Sequence, residues 1–334
     1  MKAIVYTEYG APDVLQVKDV EKPSLADNEI LIRVYAVSVG YGDLAARNFK
    51  HMSFSEFNMP GPLLVLARFD FGWNKPKKQI LGSEFSGVVE AVGSGVTRFR
   101  AGDPVFGYRG QSMGANVEFL SVAEDSLVTH KPANVTFEEA ASIPYGALTA
   151  LNLLRKVDIQ RGQKVLVNGA SGSIGSHAVQ LAKHYGAEVT GVCGRPRVEF
   201  VRSLGADHVI DYTKEDFTKN GETYDVIFDI LGKCSFSHCE GSLKPHGRLL
   251  YASFKTPHLL QMLRTSRSDG KKVICALSSE NRDDLLKVQE LIEAGAITSI
   301  VDQSFPIERA ADAHRYVEQG HKKGHVVLDL APAG

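Results

Sequence analysis

The chain has 334 residues, of which 43% are hydrophobic and 23% are charged, and its formal net charge is −1 at pH 7. This length and composition predict one large or two ordinary globular domains with well-filled cores. The near-neutral charge provides no field that would attract nucleic acid, and no apolar run approaches the ~18 residues of a membrane span. We therefore expect neither nucleic acid nor a membrane as a partner.

The start of the chain and its cysteines bear on the cellular compartment. Residues 1–9 contain no basic region followed by an apolar one, so we expect no signal peptide. The four cysteines show neither paired CxxC spacing nor the density of a secreted scaffold. They are Cys193, Cys234, Cys239 and Cys275. The prediction is a cytoplasmic protein with reduced thiols.

The first part of the chain, up to about residue 123, contains short strand candidates separated by Gly and Pro. The clearest candidates are residues 30–34, 86–93 and 103–107. From about residue 124 to residue 279, strand and helix candidates alternate. The strand candidates there are residues 165–167, 188–193, 208–212, 224–229, 247–251 and 272–276. The alternation predicts a six-stranded, doubly wound parallel sheet with helices on both faces.

The pattern changes again after about residue 280. Residues 285–294 and 310–318 are typical of amphipathic helices, and residues 325–329 are typical of a strand. These elements cannot extend a doubly wound sheet beyond its usual six strands. We therefore expect residues 280–334 to return to the first domain.

A Gly-rich turn follows the first strand of the alternating region. Ala170, Gly172 and Gly175 have the spacing of the dinucleotide fingerprint, with Ala in the first Gly position. Small residues let the backbone approach a pyrophosphate, whose charge is received by free N–H groups at the helix start. The turn predicts a dinucleotide site, and an empty structural turn is the alternative. The predicted contacts are Gly169, Ala170, Ser171, Gly172, Ser173, Ile174 and Gly175.

The residues after the second strand indicate which dinucleotide is bound. An NAD site usually carries Asp or Glu there, about 20 residues after the glycines. Here the strand is followed by Gly194, Arg195 and Arg197, with no acid. Guanidinium groups pair with a 2′-phosphate that an acid would repel, so the pattern predicts NADPH. Solvated loop charges are the alternative interpretation of the two arginines.

Segments spread along nearly the whole chain resemble one known family. They are residues 82–89, 92–97, 102–107, 141–150, 204–212 and 320–328. The chain resembles the zinc-free quinone oxidoreductase branch of the medium-chain dehydrogenase/reductase superfamily. The resemblance implies an α/β protein with a GroES-like β-barrel domain (1–123 and 280–334), a Rossmann NADPH-binding domain (124–279) and a cleft between them.

The chain differs from the zinc-dependent members of this superfamily at the metal site. The resemblance places Gly40, Ser83 and Tyr145 where those members hold zinc with two Cys and a His. None of the three offers the thiolate or imidazole that zinc prefers, so we expect no metal. Without a metal to polarise an alcohol, simple alcohol oxidation is disfavoured. Hydride transfer to a quinone or a conjugated enone needs less assistance, because the acceptor is already electrophilic.

Tyr41, Asp43 and Tyr145 are the predicted catalytic residues. Zinc-free relatives usually carry Asn at the position of Gly40, so the two tyrosines are the phenols that the resemblance places nearest the nicotinamide. A phenol with a pKa near 10 is protonated at neutral pH and suits a proton donor. A tyrosine whose hydroxyl bonds a backbone group is the alternative. Asp43 either orients its neighbours or caps a helix, and Glu84 is expected to be structural.

The resemblance also assigns cofactor contacts outside the Gly-rich turn. It places Thr149 beside the nicotinamide and Tyr212 at the adenosine phosphate end. Leu231 and Ser253 complete the predicted cofactor-binding set.

Residues 48–73 form a longer loop than in most relatives. This loop contains five of the 16 Phe residues and the single Trp, Trp73. Apolar residues at this density are not expected to remain in solvent. They either cover the cleft and select bulky apolar substrates, pack a partner subunit, or belong to the core of the small domain.

Two functions remain open at this stage. The first is an NADPH-dependent reductase of quinones or α,β-unsaturated carbonyls, with an enoyl or enone reductase as its close variant. The second is a non-catalytic NADPH-binding protein, since the fold does not fix the function. We expect a small-molecule substrate and a homodimer.

Overall fold

The structure is a computed structural model that describes residues 1–54, 56–320 and 322–331. Ser55, in the predicted loop of residues 48–73, and His321, in the segment 320–328 that contributes to the resemblance, lie outside the described residues. In chain order, the strands are β1 (Lys2–Val5), β2 (Gln16–Asp19), β3 (Glu29–Ser38), β4 (Glu84–Val92), β5 (Pro104–Tyr108), β6 (Phe119–Ala123), β7 (Val128–His130), β8 (Lys164–Asn168), β9 (Glu188–Cys193), β10 (His208–Asp211), β11 (Tyr224–Asp229), β12 (Leu243–Tyr251), β13 (Lys272–Cys275), β14 (Val301–Pro306) and β15 (His325–Asp329). The helices are α1 (Tyr41–Arg47), α2 (Gly61–Phe71), α3 (Phe137–Ala141), α4 (Pro144–Arg155), α5 (Ser173–His184), α6 (Val198–Ser203), α7 (Phe236–Cys239), α8 (Thr256–Ser266), α9 (Arg282–Glu293) and α10 (Ala310–Glu318). None of the described helices is long and apolar enough to cross a membrane.

The chain divides into two compact units. The first, here called the barrel unit, contains residues 1–52, 67–145 and the residues from 281 onward. The second, here called the cofactor unit, contains residues 53–66 and 146–280.

The barrel unit is built on a seven-stranded sheet in the order β14-β15-β3-β4-β5-β7, with β6 also paired to β3. Strand β15 runs antiparallel to β3 and pairs Val327 with Ser38. This is the return to the first domain that the sequence predicts for the tail. The long strand β3 pairs with β4, β6 and β15, and seven of its ten residues are buried.

The cofactor unit is built on a parallel sheet in the order β10-β9-β8-β11-β12-β13. In chain order this is 3-2-1-4-5-6, the arrangement of a Rossmann fold. The strand order reverses between β8 and β11, where Val165 pairs with Val226 and Asn168 with Asp229. Ligands of such sheets bind at the carboxyl ends of the strands beside this reversal, so Asn168 and Asp229 mark the expected site.

The division between the units differs from the predicted boundaries at residues 123 and 124. Residues 124–145 belong to the barrel unit, because α3 packs on β3 and β4 and the Ser86 hydroxyl donates to the carbonyl of Phe137. Residues 53–66 belong to the cofactor unit, where the N–H of Phe254 donates to the carbonyl of Asn58. Neither bond leaves a signal in the local sequence pattern.

Residues 48–73, here called the aromatic segment, have more regular structure than the loop that the sequence predicts. Its second half forms α2, and its ends pack within the barrel unit, where the rings of Phe49 and Phe71 lie 5.0 Å apart. Between these ends, Phe54, Leu66 and Phe69 remain exposed, together with Trp73.

The prediction of reduced thiols is wrong for one pair. Cys234 and Cys239 form a disulfide, with Cα atoms 6.4 Å apart, whereas Cys193 and Cys275 are free. This separation is within the range that a disulfide spans. The spacing of five residues is not a CxxC pattern, so the sequence carried no signal for it.

Candidate active site

The Gly-rich turn of the cofactor unit has the geometry that a pyrophosphate needs. Gly169 has a φ of +94°, which favours glycine, and the helix α5 begins directly after Gly172. A Cβ on Gly175 would lie 2.1 Å from the carbonyl oxygen of Gly169. The turn therefore closes on the start of α5 only because residue 175 has no side chain, and the small, fully buried Ala170 satisfies the first position of the fingerprint.

Two buried hydroxyls of the same unit suit a polar ligand. Thr149 Oγ1 on α4 and Ser173 Oγ at the start of α5 have no hydrogen-bond partner among the described residues. A buried hydroxyl without a partner is costly, which is why such atoms often mark a ligand site. Both residues belong to the predicted cofactor set. Helices α4 and α5 approach closely at Gly146, where a Cβ would lie 2.4 Å from the carbonyl oxygen of Ser173.

The end of β9 forms a cradle around Gly194. A Cβ at this position would lie 3.2 Å from both the Arg197 guanidinium and the Tyr212 hydroxyl. Arg195 is exposed and helps to hold the pKa of Asp211 below its usual range, although the main cause is a hydrogen bond from Thr213. Arg197 and Tyr212 are therefore the pair that meets the backbone at the predicted 2′-phosphate position.

Asp229 organises the loop that follows β11. Its carboxylate accepts hydrogen bonds from the N–H of Cys234 (2.8 Å), the N–H of Leu231 (3.2 Å) and the side-chain amide of Asn168 (3.0 Å). It is fully buried, and burial raises the pKa of this carboxyl. Through its bond to the Leu231 N–H, Asp229 holds Leu231 beside the Gly-rich turn. A Cβ on Gly169 would lie only 3.2 Å from the Leu231 side chain.

Ser253 lies beside the same loop. The neighbour of Leu231, Gly232, has a φ of +63°, and its Cβ would lie 2.3 Å from the carbonyl oxygen of Ser253. The structure therefore brings together three of the predicted cofactor residues, namely Gly169, Leu231 and Ser253.

In the barrel unit, Asp43 is a capping residue. It is the third residue of α1, and its carboxylate accepts the N–H of Gly40 (2.9 Å) and the N–H of Gly82 (2.9 Å). Only 3% of the residue is exposed, and burial raises the pKa of its carboxyl against the opposing effect of these bonds. Of the two roles considered for Asp43, the geometry favours the cap, because the carboxylate is occupied by backbone donors.

Glu84 is a second buried carboxylate in the barrel unit. It accepts the N–H of Tyr145 at 2.8 Å and the hydroxyl of Ser38. Burial raises the pKa of Glu84 to about 7, and the nearby charge of Asp43 adds to this shift. The hydrogen bonds from Ser38 and Tyr145 and the charge of Lys322 act in the opposite direction.

The two predicted phenols lie at the starts of two helices. Tyr41 is the first residue of α1 and is 60% exposed. Tyr145 is the second residue of α4, is partly exposed, and has its ring 6.0 Å from that of Tyr108. Tyr108 is an aromatic neighbour that the sequence did not suggest.

At the three positions where the resemblance places the zinc ligands of other family members, the structure shows contacts of the backbone. Gly40 caps α1, the carbonyl of Ser83 accepts the N–H of Arg109 at 2.6 Å, and the N–H of Tyr145 is bound by Glu84. Within residues 1–54, 56–320 and 322–331, no cluster of three His, Cys, Asp or Glu side chains could hold a metal ion.

Sequence reasoning missed the partners of the predicted residues rather than the residues themselves. Asp229 had a usable signal, since it is an acid at the carboxyl end of an apolar strand. The sequence predicts a structural role for Glu84, and nothing in the local sequence indicates that its carboxylate binds the backbone of Tyr145.

Comparison with known proteins defines the family. The family models "Alcohol dehydrogenase GroES-like domain" and "Zinc-binding dehydrogenase" match residues 26–133 and 204–328. The chloroplastic NADPH-dependent alkenal/one oxidoreductase of Arabidopsis thaliana is 32% identical over 99% of this chain and 80% of its own length. The mitochondrial NAD(P)H oxidoreductase RTN4IP1 of Homo sapiens is 32% identical over 99% of this chain and 89% of its own length.

Solved structures agree with this assignment. The quinone oxidoreductase from Coxiella burnetii superposes with a TM-score of 0.81 at 28% identity, covering 98% of this chain and 99% of the other. The fold and the site thus define an oxidoreductase with a GroES-like and a Rossmann-like part. The chain belongs to the quinone oxidoreductase branch of the medium-chain dehydrogenase/reductase superfamily, which confirms the predicted family, fold class and enzymatic nature.

Proposed function

We propose that this enzyme transfers a hydride from NADPH to a quinone or an α,β-unsaturated carbonyl without zinc. The observation that carries the proposal is the combination of a complete dinucleotide turn with backbone roles at the three zinc-ligand positions. The names of the Arabidopsis relative and of the Coxiella structure support the two acceptor classes.

The cofactor unit provides the groups that would hold NADPH. The turn from Gly169 to Gly175 would receive the pyrophosphate at the start of α5, and the Gly194 cradle would receive the 2′-phosphate through Arg197 and Tyr212. Thr149 Oγ1 and Ser173 Oγ supply buried hydroxyls that are still able to bond a ligand. When bound, NADPH supplies the hydride, which is the difficult part of the chemistry.

The barrel unit provides the proton. Reduction of an enone or a quinone adds one hydride and one proton, and the proton goes to the substrate oxygen or to the carbanion carbon. Tyr41 and Tyr145 carry phenols at two helix starts, and a phenol is protonated at neutral pH. Either hydroxyl can therefore donate a hydrogen bond to the substrate oxygen and then the proton.

The test is the oxidation of NADPH with a panel of small quinones and enones, compared between the wild type, Tyr41→Phe and Tyr145→Phe. We expect turnover by the wild type and a loss of roughly 10²-fold or more in kcat when the proton donor is removed. Tight NADPH binding with no turnover of any acceptor would instead support a non-catalytic binding protein.

A further inference from the structure

The two buried carboxylates of the barrel unit share one arrangement. Each accepts the backbone N–H of a residue at the start of a helix, and each of these helices carries one of the two candidate phenols. The N–H groups of a first helical turn have no partner inside the helix, so a carboxylate there both satisfies a donor and interacts well with the helix dipole.

Asp43 connects α1 to the segment before β4. One of its oxygens accepts the N–H of Gly40, directly before Tyr41, and the other accepts the N–H of Gly82. Gly82 itself is held in place, because its φ is +90° and a Cβ would lie 2.3 Å from Asn116 Oδ1. The start of α1 is thus tied to a rigid point of the chain.

Glu84 connects α4 to the same segment, two residues further on. One of its oxygens accepts the N–H of Tyr145, and the other accepts the hydroxyl of Ser38 at the end of β3. Strand β4 begins at Glu84, and Phe85 pairs with Val37 of β3. The segment from Gly82 to Glu84 therefore holds the starts of both phenol-bearing helices.

We propose that Asp43 and Glu84 act together as positioning residues that hold Tyr41 and Tyr145 in place for proton donation. The role in proton donation rests on the proposed function, whereas the hydrogen bonds that hold the two helix starts do not depend on it. The hydrogen bonds that the two carboxylates accept come from backbone N–H groups and the Ser38 hydroxyl, and the charged groups that act on Glu84 are Asp43 and Lys322. The pair is therefore held by neutral N–H and O–H donors, which makes its response to substitution predictable.

The hydrogen-bond donors that face Asp43 differ from those that face Glu84, so the corresponding amide variants should behave differently. Both partners of Asp43 are N–H groups, which can only donate, so Asp43→Asn would point its NH₂ group at one of them. One partner of Glu84 is the Ser38 hydroxyl, which can reverse and accept from the NH₂ group of Glu84→Gln, while the amide oxygen still accepts the Tyr145 N–H. The structure thus predicts that Glu84→Gln is tolerated and that Asp43→Asn is not.

The first experiment measures kcat, KM and the NADPH Kd separately for Glu84→Gln, Glu84→Ala and Asp43→Asn. Glu90→Gln is the matched control, because Glu90 is an exposed residue of the same strand. We expect Glu84→Ala and Asp43→Asn to lose roughly tenfold or more in kcat, as for a displaced donor, while the NADPH Kd changes less than about twofold. Glu84→Gln and Glu90→Gln should stay within about threefold of the wild type at neutral pH.

The second experiment needs no turnover. The amide signal of Tyr145 in ¹⁵N-tyrosine-labelled protein, assigned by its loss in Tyr145→Phe, should shift with pH around neutrality in the wild type and not in Glu84→Gln. A Tyr145 amide that does not respond to pH, or a fully active Glu84→Ala, would overturn the proposal. If no acceptor is reduced by the wild type while the amide responds as expected, the proposed function fails and the positioning of Tyr145 stands.

Discussion

The two arginines after β9 face different neighbours, and this difference gives them different roles. The Arg197 guanidinium and the Tyr212 hydroxyl meet at Gly194, whereas Arg195 is exposed and acts on Asp211. We expect Arg197→Ala to weaken NADPH binding by about 1.5–3 kcal/mol, the value of a charged hydrogen bond, or roughly 10–100-fold in Kd.

Arg195→Ala should weaken NADPH binding less, because the Arg195 side chain is more exposed and also interacts with the Asp211 carboxylate. Titration of each variant with NADPH and with NADH checks this, and NADH binding should hardly change in either. If Arg197→Ala weakens both cofactors equally, the side chain supports the fold and does not bind the 2′-phosphate.

Glu84 also predicts a pH dependence of stability. The pKa of Glu84 is about 7 in the folded protein, whereas its ordinary value is 4.5. Between these two pH values the carboxyl is protonated in the folded state and ionised in the unfolded state. Glu84 therefore lowers the free energy of unfolding as the pH rises from about 4.5 to 7, by up to about 3 kcal/mol at 1.36 kcal/mol per pKa unit.

Glu84→Gln removes this titration. Above pH 7 the variant should unfold at a higher denaturant concentration than the wild type, and the difference should shrink as the pH falls towards 4.5. A difference that is independent of pH would mean that Glu84 remains ionised in the folded protein.

Individual residues of the site also differ in how well the sequence could predict them. The Gly-rich turn and the arginines after β9 were predictable, because their chemistry is contained in a few consecutive residues. The bonds of Glu84 to Tyr145 and of Asn168 to Asp229 each join residues 61 positions apart. No local pattern encodes such a pairing, so the partners became visible only in the fold.

The turn between β8 and α5 depends on Gly175 more than on any other property of its sequence. A Cβ there would lie 2.1 Å from the carbonyl oxygen of Gly169, and backbone cannot move aside as a flexible side chain can. We expect Gly175→Ala to destabilise the protein by about 1–3 kcal/mol and to abolish measurable NADPH binding.

Gly241→Ala is the control, because no atom lies within 4 Å of a Cβ at that exposed position of the same unit. Thermal unfolding and NADPH titration of both variants provide the measurement. Wild-type NADPH affinity in Gly175→Ala would show that the turn does not approach the pyrophosphate.

Two of the predicted roles of the aromatic segment remain open, namely lining the substrate site and packing a partner subunit. Phe49 and Phe71 pack within the barrel unit, while Phe54, Leu66 and Phe69 remain exposed. Trp73 is the only tryptophan, so its fluorescence reports on this segment alone. If the segment lines the substrate site, an apolar quinone should change this fluorescence, and Leu66→Ser with Phe69→Ser should raise KM for large quinones more than for small ones.

The same double variant tests the alternative. Dissociation of an oligomer in sedimentation, with unchanged selectivity among quinones, would identify the segment as a subunit contact and contradict a role at the substrate site. The homodimer itself remains a prediction until this measurement is made.

Elements with a clear period were predicted well, and those defined by long-range packing were not. The strands of the cofactor unit and the helix α10 agree with the predicted ranges within a few residues, because their apolar periodicity is strong. The helix α2 was missed, because an apolar segment without polar alternation has no distinct helical face. The Cys234–Cys239 disulfide was missed because its spacing matches no motif.

At the scale of the whole molecule, the resemblance was informative because it extends over nearly the entire chain. Relatives cover 99% of it, and the solved quinone oxidoreductase superposes over 98% of it. Cytoplasmic location remains a prediction, and the relatives in Arabidopsis and human carry chloroplastic and mitochondrial names.

The proposed function is the reduction of an activated carbonyl with NADPH and without a metal. The most direct test is NADPH consumption with a panel of quinones and enones, measured on protein whose zinc content is known and repeated after treatment with a chelator. We predict turnover of at least one acceptor class by protein that holds no stoichiometric zinc, and the same rate after chelation. One tightly bound zinc per chain together with loss of activity on chelation would contradict the proposed metal-free reaction.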